Sequence, residues 1–238
     1  MRRDHRPYFV KKAYLNLQAS YTRRFLEPQM KRVGKRLQVI KPWHVEIFGG
    51  PVEIGNCATI IAAPDGKVRL SVWPASAGKG GIRIGSYGLI CPGVRIGSAQ
   101  KVVIEDNCMI ASRAYITDCD WHGVYDRLSI GQSEPVRLGP NVWIGDSAIV
   151  CKGVRVGENS IVGAGAVVVS DIPPNTVAVG NPARVVKQLD PSRPMTTRSQ
   201  WYSDPQKLFE QIDRLDRSIL GGNSLSGWIG HLLAPKRE

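Results

Sequence analysis

The chain has 238 residues, 42% hydrophobic and 22% charged, with 32 Lys or Arg against 20 Asp or Glu. That is enough for one sizeable domain with appendages, and the balance is that of a soluble globular protein. No apolar run approaches the roughly 18 residues of a spanning helix, no signal-peptide core follows the basic N-terminus, and five scattered cysteines without a CxxC pair point to neither a disulfide framework nor zinc. A reducing cytoplasm is the expected compartment.

The charge is uneven. Residues 1–42 hold twelve Lys or Arg and two Asp or Glu, a net +10, and the other 196 residues share only +2. Within this block, residues 8–27 read as a helix ending before Pro28, with Tyr14, Leu17, Tyr21 and Phe25 as its apolar stripe. Two readings stay open for this segment (1–44). It can cap one end of the following domain, or lie against an anionic surface such as the inner face of a membrane. Nucleic acid is a weak alternative, because no nucleic-acid-binding signature surrounds the block.

From about Val45 a six-residue period begins. Ile54 opens it, Pro64-Asp65-Gly66 interrupts it, and residues 71–81 form an irregular excursion. It resumes at Ile84, Ile90 and Ile96, slips by two residues over Ser98–Lys101, and continues at Ile104, Ile110 and Ile116. The clearest run is Leu138, Ile144, Val150, Val156, Val162 and Val168, with a second inward residue four positions on: Val142, Ala148, Val154, Ser160, Ala166 and Ile172. A period of six fits neither a helix nor a lone strand; it is the hexapeptide signature of a parallel β-helix. The glycines that follow the aliphatics (Gly139, Gly145, Gly157 and Gly163) are expected to allow tight turns between faces. The domain runs over 45–187. After Lys187, residues 189–205 read as a Pro/Ser/Thr-rich linker. Leu208, Ile212, Leu215 and Ile219 then mark a helix closed by Gly221-Gly222, and Leu225, Trp228, Ile229 and Leu232 a second short apolar face, within a C-terminal region of 188–238.

The period fails once at length. Ile116 to Leu138 is a step of 22 positions where the repeat takes six, so a loop within 117–137 must leave the coil. An ordered excursion of that length is a candidate for function. It contains His122, the carboxylates Asp118, Asp120 and Asp126, and Arg127. A histidine is the usual general base for a hydroxyl or amine nucleophile, and a carboxylate can fix its tautomer. Asp118 and Asp120 are both candidates for that role, as is a residue from elsewhere in the fold. Cys119 is a weaker candidate nucleophile. Trp121, Tyr125 and Arg127, with Val124, are candidate substrate contacts. The chain has only four histidines (His5, His44, His122 and His231), and just one sits in the coil region proper, so no three-histidine metal site is expected and no metal is required.

The pieces ITDCDWHG, NVWIGDSAIV and VGAGAVVVSDIPPNTVAVGNPARVVK give the chain a resemblance to the hexapeptide-repeat acyltransferases of the left-handed β-helix superfamily. It is most similar to the maltose, galactoside and sugar O-acetyltransferase branch, over about residues 45–187. The resemblance implies a mainly-β, left-handed parallel β-helix with helical extensions, and acyl transfer from acetyl-CoA to a sugar hydroxyl, as in surface-polysaccharide biosynthesis. It implies His122 as the base, Trp143 beside the thioester arm, and Gly163, Ala164, Gly165 and Ala166 along pantetheine. Arg184 and Lys187 would lie near the nucleotide phosphates, in a homotrimer whose sites lie between coils. Where relatives often carry a basic residue before the Asp of DIPP, this chain has Ser170. N-acylation of an amino sugar, transfer of a longer acyl group and a non-catalytic scaffold are the rival readings.

Overall fold

The computed structural model describes residues 4–73 and 80–234. The irregular excursion expected at 71–81 falls mostly outside the described residues. The rest winds as a left-handed parallel β-helix. Two six-stranded sheets and one eight-stranded sheet form its three faces, and the coil strands pair in parallel with those of the neighbouring turns. Both series of inward residues in the Leu138–Ile172 run are buried. They stack in columns: Ile110 lies between Ile90 and Ile144. Burying one such side chain is worth about 1.5–3 kcal/mol, and the columns continue from turn to turn.

The coil starts two strands before Val45, within the same turn. Arg32–Val33 pairs with Val52–Ile54, and Gln38–Ile40 with Thr59–Ile61. These short strands lie inside the basic block, where cations and Gly34 mask the six-residue period.

The glycines of the repeat act differently from the expectation. The left-handed corners of this run are made by Asn141, Ser147, Asn159 and Asn175, and by Gly153 and Gly165, two glycines outside the expected set. Asparagine tolerates that conformation because its side chain bonds locally; here Asn141 Nδ2 donates to Asn159 Oδ1 (3.0 Å) and Asn159 Nδ2 to Asn175 Oδ1 (3.1 Å), one turn to the next. Gly145 and Gly157 are needed for close approach. A Cβ on Gly145 would sit 2.5 Å from Ala164 N, and one on Gly157 2.3 Å from Pro174 N, both in the turn above.

Helix α1 (Tyr8–Tyr21) continues through a wider turn, Thr22–Leu26, and a tight one, Glu27–Gln29, and covers the open first turn of the coil. Its buried side is Gln18, Thr22 and Leu26, one residue on from the expected stripe, and Leu17 and Phe25 stay exposed. The cap must satisfy backbone as well as cover carbon: Gln18 Oε1 accepts from Lys41 N (2.5 Å). Tyr14 and Tyr21 pack edge-on against Trp43.

The expected linker is a strap. After Thr176–Val179 the chain returns as an antiparallel strand, Arg184–Gln188, and then runs back down the coil. Leu189 N donates to Asn175 O, Asn141 Nδ2 reaches Met195 Sδ, and Ser199 N donates to Asn107 Oδ1. Arg198 bonds Tyr87 O and Thr59 Oγ1, and buried Tyr202 sits on Thr59. The short helix α2 (Arg198–Trp201) lies in this strap. Helices α3 (Pro205–Leu220, capped by Asp204) and α4 (Leu225–Leu233, capped by Ser224) follow, and α3 docks on α1. Among the described residues no helix is long and apolar enough to cross a membrane.

Candidate active site

The loop leaves the third face after Tyr115–Thr117 and rejoins the first at Val136–Leu138. Its base is pinched shut. Cys119 and Ser133 form an antiparallel bridge, Asp120 N donates to Gln132 O (2.9 Å), and Glu134 N donates to Asp118 O (2.9 Å).

Asp118 is fully buried there, and its carboxylate accepts four hydrogen bonds: Ser98 Oγ (2.9 Å), Ala99 N (2.6 Å), Gln100 N (2.9 Å) and Lys101 N (2.5 Å). Those three amides belong to the corner insertion that makes the period slip. They have no strand to pair with, so a buried carboxylate gathers them. Asp118 therefore clamps the loop's root and is not the partner of the histidine. Asp120 is exposed, and its ion pair is with Lys152 (3.4 Å).

His122 finds its partner in the backbone. Nδ1 lies 2.9 Å from the carbonyl oxygen of Arg127, across a tight turn closed by Gly123 N to Ser129 O. A carbonyl can only accept, so in the neutral ring the proton is on Nδ1 and the lone pair is on Nε2. A peptide oxygen thus does what was expected of a carboxylate. No signal of residue type could have revealed it.

The groove beside His122 has a volume of about 580 Å³ and is lined by Arg69, Trp73, Arg95, Tyr115, Trp121 and His122. Trp121 Nε1 donates to Tyr115 Oη (3.0 Å), and the Arg95 guanidinium lies 4.5 Å over the Tyr115 ring. Of the three expected substrate contacts, Trp121 is held next to His122. Arg127 lines a separate depression with His122, Gly123 and Val124. Tyr125 is fully exposed and lines neither. Arg69, Arg95 and Tyr115 were not among the expected contacts. They are the outward residues immediately before Leu70, Ile96 and Ile116, and they lie in one register column. The period that located the core would have found them had it been read one position earlier.

Cys119 is buried, and its Sγ donates to Asp120 O (3.3 Å). Burial, reinforced by the Asp118 and Asp120 carboxylates, pushes this thiol up, which disfavours the thiolate a nucleophile needs.

The other expected contacts collect elsewhere. Trp143, half exposed, stands on the second face in register with Ile161, Val177 and, across the antiparallel turn, Lys187. Arg184 is exposed two pairs away, opposite Val179, and its guanidinium donates to Ala183 O. Gly163–Ala166 forms the corner between this face and the third. The Ala166 side chain is in the core, so it can offer a ligand only backbone atoms. The candidate donor-binding residues therefore lie on the second face and its corner with the third, whereas His122 opens onto the third; the groove beside His122 is lined by none of them.

Comparison with known proteins adds the repeat itself. The pattern described as bacterial transferase hexapeptide (six repeats) matches residues 135–170. The chain thus carries hexapeptide repeats over that stretch. Galactoside O-acetyltransferase of Escherichia coli (strain K12) is 40% identical over 92 residues, which is 37% of this chain and 45% of that enzyme. The chain thus spans under half the length of this curated relative. AntD, an N-acyltransferase from Bacillus cereus solved as a point mutant with dTDP and coenzyme A, superposes with a TM-score of 0.53 at 20% identity, covering 82% of this chain and 96% of that one. At that identity the likeness concerns the fold.

Proposed function

We propose that this protein is an acyl-CoA-dependent O-acyltransferase, with acetyl-CoA as donor and a sugar hydroxyl, free or carried on a glycan or glycolipid, as acceptor. The observation that carries the reading is His122. Its Nδ1–H is tied to the Arg127 carbonyl, which leaves Nε2 able to accept a proton at the mouth of a groove lined by tryptophan and arginine. Aromatic faces and guanidinium groups suit a polyhydroxylated acceptor.

In the proposed reaction Nε2 takes the hydroxyl proton as the oxygen attacks the thioester carbonyl. The tetrahedral intermediate collapses with cleavage of the carbon–sulfur bond, and the departing thiolate recovers the proton from the imidazolium. Positioning both substrates makes the transfer effectively unimolecular. The Trp143–Ile161–Val177–Lys187 row would hold the pantetheine arm, with Arg184 and Lys187 toward the phosphates, where a guanidinium forks onto oxygens and an ammonium acts as a point charge. Because that row and the His122 groove lie on different faces, a neighbouring copy would complete the site, and a homotrimer is the assembly we assign. Five free thiols fit a reducing, cytoplasmic setting.

The test is thiol release from acetyl-CoA across a panel of sugars, amino sugars and glycans. His122→Ala should lower turnover by about 10²- to 10⁴-fold while coenzyme A binding persists. Normal turnover by the variant would remove the base role. Amines preferred over hydroxyls would make the enzyme an N-acyltransferase, and no coenzyme A binding by the parent would leave a scaffold. A monomeric sedimentation profile would contradict the shared site.

A further inference from the structure

Helix α3 is mounted the wrong way round for a soluble protein. Its apolar positions Leu208, Ile212, Leu215 and Ile219 form one stripe, and such a stripe ordinarily faces the core. Here the helix is attached by its charged side, with Leu220 buried at its end and Phe209 partly covered. Tyr8 Oη donates to Asp213 (2.7 Å), Lys12 pairs with Asp213 (2.6 Å), Lys11 pairs with Asp216 (2.7 Å), and the Arg217 guanidinium lies 4.7 Å over the Tyr8 ring. Ile212, Leu215 and Ile219 are left 41%, 59% and 58% exposed. The next helix, α4, adds exposed Leu225, Ile229, Leu232 and Leu233. It too is held by polar anchors: Asn223 donates to the carbonyls of Asp4 and Arg6, and His231 stacks on His5 at 3.8 Å.

The charge at this end of the molecule says what covers the stripe. Helix α1 and the first turn, on which α3 rests, belong to the +10 segment. Four of its cations are used within the fold's own ion pairs: Arg6 with Asp4, Lys11 and Lys12 with α3, and Lys31 with Glu53. Arg23, Arg24, Arg32, Lys35, Arg36 and Lys41 make no ion pair among the described residues. Arg23, Lys35 and Arg36 line one cleft with Leu15, Phe209 and Ile212, so unpaired cations and the stripe adjoin. An exposed apolar face edged by cations is the physical signature of a helix at an anionic bilayer interface. A second copy fits less well, because end-to-end contact would set one cationic cap against another.

We infer that α3 and α4, with the cationic cap, form a docking face for an anionic lipid surface. The apolar side chains enter the headgroup boundary, and Arg23, Lys35 and Arg36 meet lipid phosphates. This holds whatever reaction the coil performs.

Flotation of the full chain with vesicles tests it. The chain should float with phosphatidylcholine vesicles containing phosphatidylglycerol, stay behind with phosphatidylcholine alone, and be released by salt. Leu215→Glu with Ile219→Glu alters only exposed positions, so thermal unfolding should be unchanged while the bound fraction falls at least about tenfold. Lys35→Glu with Arg36→Glu should weaken binding by about 25-fold or more, since each cation near the surface contributes about fivefold. Equal binding by either variant overturns the inference, as does a parent chain that ignores anionic vesicles. A stripe variant that changes the sedimenting mass without any lipid effect assigns the face to self-association instead.

Discussion

In the coil, Ile110 has Ile90 on one side and Ile144 on the other, and the same stacking recurs at each of those neighbours. In the loop, His122 has one backbone partner, Asp118 has four donors of its own, and neither arrangement occurs twice among the described residues. The coil is redundant: each turn repeats one local demand, and a fault in one is shared with its neighbours. The loop is singular: a few side chains decide whether it exists and what it offers. Stability should therefore be concentrated in the first region and activity in the second, and substitutions can separate them.

The largest separation is between His122→Ala and Ile110→Ala. The first should cost about 10²- to 10⁴-fold in acyl transfer with no shift in the unfolding midpoint, because the ring is exposed. The second should cost roughly 2–5 kcal/mol of unfolding free energy, measured by denaturant titration, with near-normal turnover per folded molecule. If Ile110→Ala abolished turnover while remaining folded, the division of labour would be wrong.

Asp118→Ala should blur the boundary. It strips the acceptor from three backbone amides at the loop's root, while the Ser98 hydroxyl keeps Gly81 O, at about 1–3 kcal/mol for each donor left buried and unpaired. Both unfolding and acyl transfer should suffer, and Asp118→Asn, which keeps an acceptor oxygen, should recover part of each. An Asp118→Ala protein of normal stability would show that the corner finds other partners.

Gly145→Ala probes the coil alone. The new methyl group meets Ala164 N at 2.5 Å, so one turn must lift from the next, at about 1–3 kcal/mol. An unchanged midpoint would mean the turns can part freely.

The smallest expected effect is in acid. Lys12, then Tyr8 and Arg217, hold the Asp213 carboxyl well below the usual carboxylate range. A depressed carboxylate lends its contribution above its unfolded value, near 4, and withdraws it as pH falls toward the folded one. Hydrogen exchange of α3 should therefore quicken at strongly acidic pH while the coil stays protected. Asp213→Asn should reproduce that at neutral pH. If α3 and coil amides lost protection together, the helix would not be a separate unit.

This contrast also explains what could be read from sequence. The turns were legible because the same inward need returns every six residues, from Ile84 through Val168. Their glycines were located but misread, since a six-residue period does not distinguish a turn from a close approach. The loop announced itself by breaking the period, and His122 by its chemistry. Its partner did not, because the Arg127 carbonyl is a peptide atom with no signature of residue type. Asp118 misled for the opposite reason: a carboxylate four residues from a histidine suggests a dyad, whereas its true donors lie some twenty positions upstream. The strap after Lys187 looked like a linker because single contacts hold it, at Asn141, Asn107, Tyr87 and Thr59, with no apolar rhythm.

That strap has a consequence for size. A solenoid has no intrinsic end, and one more turn could be spliced in without offending its neighbours. Here the descending segment touches the coil at successive levels and then ties its helices to the opening helix, so it acts as a gauge of fixed reach. Each inserted turn would lengthen the coil by about 4.8 Å and leave the gauge one or two residues short. The number of turns in this protein is thus measured by the part of the chain that does not wind.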